Sequence, residues 1–177
     1  VSPLYQNRDI INVVQHSIVP VLVEGRLAPM SYTRSSQIPN EPIVVAVFDG
    51  GVTAQDVAAA YESCNQLMQI GGFKRYFLIG DLSKATGAFG DILKILQYTF
   101  TIVDESISEK PFRFKPLFVG ADAMVRLYVD ARRLHQFGAI EIPLFTSFEL
   151  ALNTARSSIK ATQEHKAVSS DSVTPTE

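Results

Sequence analysis

The feature that most constrains this chain is a recurring unit: a short apolar run, a turn rich in Gly and Asp, then a stretch with apolar residues at helical spacing. The run 43–48 is apolar throughout and ends at Asp49-Gly50-Gly51, as in a strand buried on both faces and followed by a tight turn. Thr53 then opens a helix. Its hydroxyl caps the first turn while Asp56 reaches back, and Val57, Ala60, Tyr61, Cys64, Leu67 and Met68 form one face until Gly71-Gly72. The second unit is a strand at 76–79, closed by Gly80, Asp81, Leu82 and Ser83. A helix follows after Gly87, with Phe89, Ile92, Leu93, Leu96, Phe100 and Val103 on its apolar face. A third strand at 117–119 leads through Gly120-Ala121-Asp122 into a helix whose face is Met124, Leu127, Tyr128, Ala131 and Leu134. A fourth strand at 140–145 precedes a helix opened by a capping box of Thr146 and Glu149, with Phe148, Ala151, Leu152, Ala155 and Ile159 inward.

Strands that alternate with helices over short connections require crossovers. The pattern therefore predicts a single α/β domain with a mostly parallel mixed sheet and about four helices. The Ile- and Val-rich stretch 10–23, broken by His16, Ser17 and Pro20, predicts one bent strand or two short ones at a sheet edge. Residues 25–42 are rich in Pro, Ser and Asn and read as a long connection, either an arm or the cover for an irregular strand. The expected division is thus an N-terminal edge strand and irregular arm at 1–42, an α/β core at 43–161, and a disordered polar tail at 162–177.

Composition narrows the function classes. A hydrophobic fraction of 46% with 19% charged residues belongs to a folded protein. A net charge of -2, with both signs scattered, gives no field that favours nucleic acid or an anionic membrane. Cys64 is the one cysteine, which excludes an internal disulfide and a zinc site of paired cysteines and fits a reducing compartment. At its helical position it reads as a small buried hydrophobe rather than a reactive thiol. No apolar run approaches the ~18 residues of a membrane span, and the start lacks signal-peptide order, so the expected location is cytoplasmic.

In an open α/β sheet the loops beyond the carboxyl ends of the strands converge on one edge, where ligands bind. The residues collected there are Asp49, Asp81, Ser83, Thr86 and Asp122. Each loop feeds a helix N-terminus, whose free N–H groups favour a phosphate or carboxylate. The same residue types are also what capping and tight turns require. No P-loop or dinucleotide fingerprint is present, and none of His16, His135 or His165 falls in these loops, which leaves a hydroxyl nucleophile without a base. Arg113, Lys115, Arg132 and Arg133 read as solvated charge or as a local patch for an acidic partner.

The order of elements from 43 onward resembles the STAS superfamily, in particular its SpoIIAA-like branch. The resemblance is carried by Val47-Phe48-Asp49-Gly50-Gly51-Val52-Thr53, Gly80-Asp81-Leu82-Ser83, Leu117-Phe118-Val119-Gly120 and Phe145-Thr146-Ser147-Phe148-Glu149-Leu150-Ala151. It implies a non-enzymatic signalling or regulatory module, with no cofactor or metal, that engages a protein partner or a small anionic ligand near Asp81. Classical members of this superfamily carry an Asp-Ser-Ser/Thr-Gly signature at the next helix, where a partner kinase phosphorylates a serine. The corresponding stretch here, Lys84-Ala85-Thr86-Gly87-Ala88-Phe89-Gly90-Asp91, has no serine, and Thr86 is the nearest hydroxyl for modification. Two other classes stand beside this reading. One is a magnesium-dependent phosphoryl-transfer or hydrolytic enzyme using Asp49 and Asp81, with Ser83 or Thr86 at the substrate. The other is a module that self-associates through an edge strand at 19–23.

Overall fold

The run at 43–48 becomes a central strand because it has an apolar partner layer on each side. In the computed structural model, which describes residues 13–17, 22–23, 26–27, 32–108 and 113–170, eight strands and four helices follow in order. They are β1 (Val13–Ser17), β2 (Leu22–Val23), β3 (Arg26–Leu27), β4 (Tyr32–Gln37), β5 (Ile43–Gly51), α1 (Ala54–Ile70), β6 (Arg75–Thr86), α2 (Phe89–Ser108), β7 (Arg113–Val119), α3 (Ala123–Arg132), β8 (Leu144–Phe145) and α4 (Phe148–Ser170). Six strands form one sheet in the order β1-β4-β5-β6-β7-β8, while β2 and β3 make a small separate hairpin. The pairs β5–β6, β6–β7 and β7–β8 are parallel, and β1–β4 and β4–β5 are antiparallel. The expected class is the observed one, a mixed sheet with an antiparallel N-terminal edge and four helices.

Alternation along β5 sorts its side chains. Val44, Ala46 and Phe48 join α1, α2 and α3 in the larger core, whereas Ile43 and Val45 join Ile79, Leu117, Val119, Ala151 and Ala155 under α4. Two ion-paired hydrogen bonds from Arg156 to Glu41, 2.7 and 3.0 Å, tie α4 to the β4–β5 turn. Helix α1 carries the expected capping box: Asp56 N donates to Thr53 Oγ1, and Asp56 accepts from Thr53 N at 2.8 Å.

Several expectations are corrected. Of the two readings of 25–42, the structure takes the hidden strand: β4 lies inside the sheet between β1 and β5. Its buried positions are the polar residues Thr33, Ser35, Ser36 and Gln37, so hydrophobic alternation does not reveal it. The N-terminal edge strand of the sheet is β1, and of the stretch 19–23 only Leu22 and Val23 lie among the described residues, in the separate hairpin. The fourth strand is two residues long, and the hydroxyl at the start of α4 is that of Ser147, which accepts from Leu150 N at 3.4 Å, rather than that of Thr146. Helix α4 runs to Ser170 through part of the expected tail; residues 171–177 lie outside the described residues. After α3 a short 3-10 turn follows (His135–Phe137). Two helix faces are also rotated from expectation. On α2 the buried residues are Ile92, Ile95 and Leu96, with Phe89, Leu93 and Phe100 exposed; on α3 they are Val125, Tyr128, Val129 and Arg132, with Leu127 and Leu134 exposed.

Candidate functional site

The strand expected to end near Asp81 continues through Thr86, so Asp81-Leu82-Ser83 is not a strand end. Val47 pairs with Asp81 and Asp49 with Lys84, which leaves Phe48 opposite both Leu82 and Ser83. That two-against-one count is a β-bulge on β6. Asp81 Oδ1 accepts from Ser83 N at 3.0 Å and from Ser83 Oγ, so this carboxylate and hydroxyl fix the bulge. In register Asp81 lies between Val47 and Val119, on the sheet face covered by α4. Asp49 is at the surface with Lys84 Nζ 4.0 Å from its Oδ2, an exposed pair that contributes little. Asp122 is the N-cap of α3, accepting from Met124 N at 2.7 Å. Thr86 ends β6, exposed, with its carbonyl accepting from Val52 N at 2.9 Å. Among the described residues no group of three or more His, Cys, Asp or Glu is placed to hold a metal ion, and no helix is long and apolar enough to cross a membrane.

The structure instead opens a cavity of about 410 Å³ on the opposite face of the sheet, between the strands and α1, α2 and α3. Its floor is Ala46 and Phe48 from β5, Leu78, Gly80 and Leu82 from β6, and Phe118 from β7. Val57, Ala60 and Cys64 of α1 close one side, and Ile92, Ile95 and Thr99 of α2 another. Met124, Val125, Tyr128 and Arg132 of α3 complete the wall. Gly80 is required here: a Cβ at this position would sit 2.9 Å from Phe118 Cδ1, so the Phe118 ring lies directly over the glycine. Thr86 and Asp122 from the expected site line the cavity, whereas Asp49, Asp81 and Ser83 do not.

The polar groups on this wall are few. Tyr128 donates its hydroxyl to Thr99 Oγ1 at 3.1 Å, and Thr99 in turn donates to Ile95 O at 2.8 Å. Burial pushes the Tyr128 phenol up, and it pushes the Cys64 thiol up to about 12 against a weaker opposing effect of the Ser35 hydroxyl, so both stay protonated and neutral. Arg132 differs from the rest of the wall. It is 1% exposed, and neither its Nε nor its Nη1 has a hydrogen-bond partner. Burial lowers its pKa, the expected direction for a cation taken out of water.

Sequence reasoning placed Arg132 with Arg133 in a solvated patch. Arg133 is indeed exposed beside Asp130 at 3.3 Å, but Arg132 is not. The signal was present: Val125, Tyr128 and Val129 define a helix face on which the next position is 132, where an apolar residue belongs. Charge at such a position marks a buried group with a task or a cost.

Compared with known proteins, the chain is similar in structure to an uncharacterized protein from the DUF3478 family with a SpoIIAA-like fold from Shewanella loihica PV-4. The TM-score is 0.42 at 14% sequence identity, covering 73% of this chain and 97% of that one. No family model and no curated protein matches the chain.

Proposed function

We propose that this protein is a non-enzymatic binding module of the SpoIIAA-like type, and that its ligand is a small, largely apolar molecule held between the sheet and α1, α2 and α3. The observation that carries this reading is the cavity of about 410 Å³, which is within the range of ligand pockets and is walled by apolar side chains from all three helices and three strands. A well-packed core of this size carries no void of that volume. Thr86 and Asp122 stand at the loop edge of the cavity and form the entrance on this reading. The role given to the loops thus moves from Asp81, whose carboxylate fixes the bulge, to the residues beyond it. A regulatory role follows if occupancy alters the loop edge that a protein partner meets.

A neutral fluorescent probe, N-phenyl-1-naphthylamine, tests this directly. Saturable binding at one site is expected, and Ala46→Phe, which adds a ring to the cavity floor, is expected to abolish it while the far-ultraviolet circular dichroism stays that of the native protein. Absence of saturable binding to the wild type would sink the reading.

A further inference from the structure

The cavity has a chemical polarity along α3. Asp122 stands at the N-cap just before the helix and Arg132 at its last residue, both on the cavity wall. Ten residues of α-helix separate them by about 15 Å, the scale of a medium-length acyl chain. Of the residues that line the cavity, Arg132 is the one cation and Asp122 the one carboxylate. Asp122 is exposed and occupied as a cap, whereas Arg132 is buried with two guanidinium nitrogens, Nε and Nη1, unpaired. A buried guanidinium with open donors is costly to keep, and the usual remedy is a carboxylate or phosphate that meets its planar fork.

From these observations we infer that the cavity takes an apolar monocarboxylate, with its carboxylate paired to the Arg132 guanidinium and its apolar body running along α3 toward Asp122. This deepens the binding reading given above and rests on it. The single positive charge selects a monoanion, because a dianionic phosphate would keep one negative charge unneutralised in an apolar enclosure. The Tyr128 hydroxyl, one turn from Arg132 on the same face, already donates to Thr99; its oxygen stays neutral and adds no repulsion. The Asp122 carboxylate at the far end disfavours the reverse orientation of the ligand.

Calorimetric titration at pH 8 with dodecanoate and with dodecan-1-ol, both below their aggregation limits, separates the charge from the chain. The wild type is expected to bind the acid at least tenfold more tightly than the alcohol. Arg132→Met is expected to bring both to the alcohol's affinity, with Arg132→Lys in between because it keeps the charge on a shorter side chain with fewer donors. Thermal melting gives a second readout: dodecanoate should raise the wild-type melting temperature and leave that of Arg132→Met unchanged. Equal affinity of the wild type for acid and alcohol would overturn the carboxylate assignment and leave the apolar-ligand reading standing. Binding of neither, together with no binding of N-phenyl-1-naphthylamine, would overturn both.

Discussion

The Tyr128 hydroxyl on α3 donates to Thr99 Oγ1 on α2 at 3.1 Å, and this bond links the two helices that wall the cavity on its outer side. The ring beneath it packs on Phe118 with centroids 5.8 Å apart, so one residue joins α2, α3 and the sheet. Tyr128→Phe keeps the ring and removes the bond. It is expected to cost about 1 kcal/mol of stability, read from urea unfolding, and to speed amide hydrogen exchange in α2 more than in α4. Equal exchange in both helices would mean that the bond does not hold α2 in place.

Asp81 is expected to matter for the fold and not for the ligand. Its carboxylate accepts from Ser83 N and Oγ at the bulge, on the α4 side of the sheet, and it does not line the cavity. Asp81→Ala should therefore lower stability by about 1–2 kcal/mol while changing N-phenyl-1-naphthylamine affinity by less than twofold. A large loss of affinity with unchanged stability would return the binding role to Asp81.

What the sequence could and could not convey follows from the physics of each element. The capping box of Thr53 and Asp56 was legible because both partners lie within four residues of one another. The apolar run of β5 was legible because a strand covered on both faces needs no alternation. Strand β4 was not, because its buried positions are Thr33, Ser35, Ser36 and Gln37, which are tolerated inside only through tertiary contacts such as that of Cys64 Sγ with Ser35 Oγ at 3.8 Å. The bulge at Leu82 and Ser83 was read as a strand end, since Gly, Asp and Ser mark both. The cavity is a property of three helices and a sheet together, and a sequence pattern that marks apolar faces does not say whether those faces close on one another.

Alkaline pH offers a test of the buried neutral groups. Burial pushes Cys64 up to about 12, and holds the phenols of Tyr76 and Tyr128 above the ordinary tyrosine range; for Tyr76, Cys64 and Tyr61 add to this. Above the unfolded values the unfolded chain releases these protons while the folded protein keeps them, so the folded state binds more protons and stability must fall as pH rises. The contribution is complete below about pH 8 and declines from about pH 9 upward, by up to about 1.4 kcal/mol per pH unit for each group. Urea midpoints at pH 7, 9 and 10.5 should show this decline, and Cys64→Ala should flatten its first part. A flat profile to pH 10.5 would mean that these groups ionise as easily folded as unfolded.

Gly80 gives the last test, because it connects packing to the volume of the cavity. A Cβ there would lie 2.9 Å from Phe118 Cδ1 and 3.0 Å from Cε1, closer than carbon atoms rest, so the Phe118 ring must move. Phe118 and Gly80 both line the cavity floor, and a ring displaced from the sheet enters the space where a ligand would lie. Gly80→Ala is therefore expected to cost about 1–3 kcal/mol by overpacking and to weaken N-phenyl-1-naphthylamine at least tenfold. The double variant Gly80→Ala with Phe118→Leu shortens the displaced side chain and should recover most of the affinity, since it restores the room that the methyl group takes. If the single variant binds the probe as the wild type does, the ring has moved elsewhere and the floor of the cavity is not where the ligand rests.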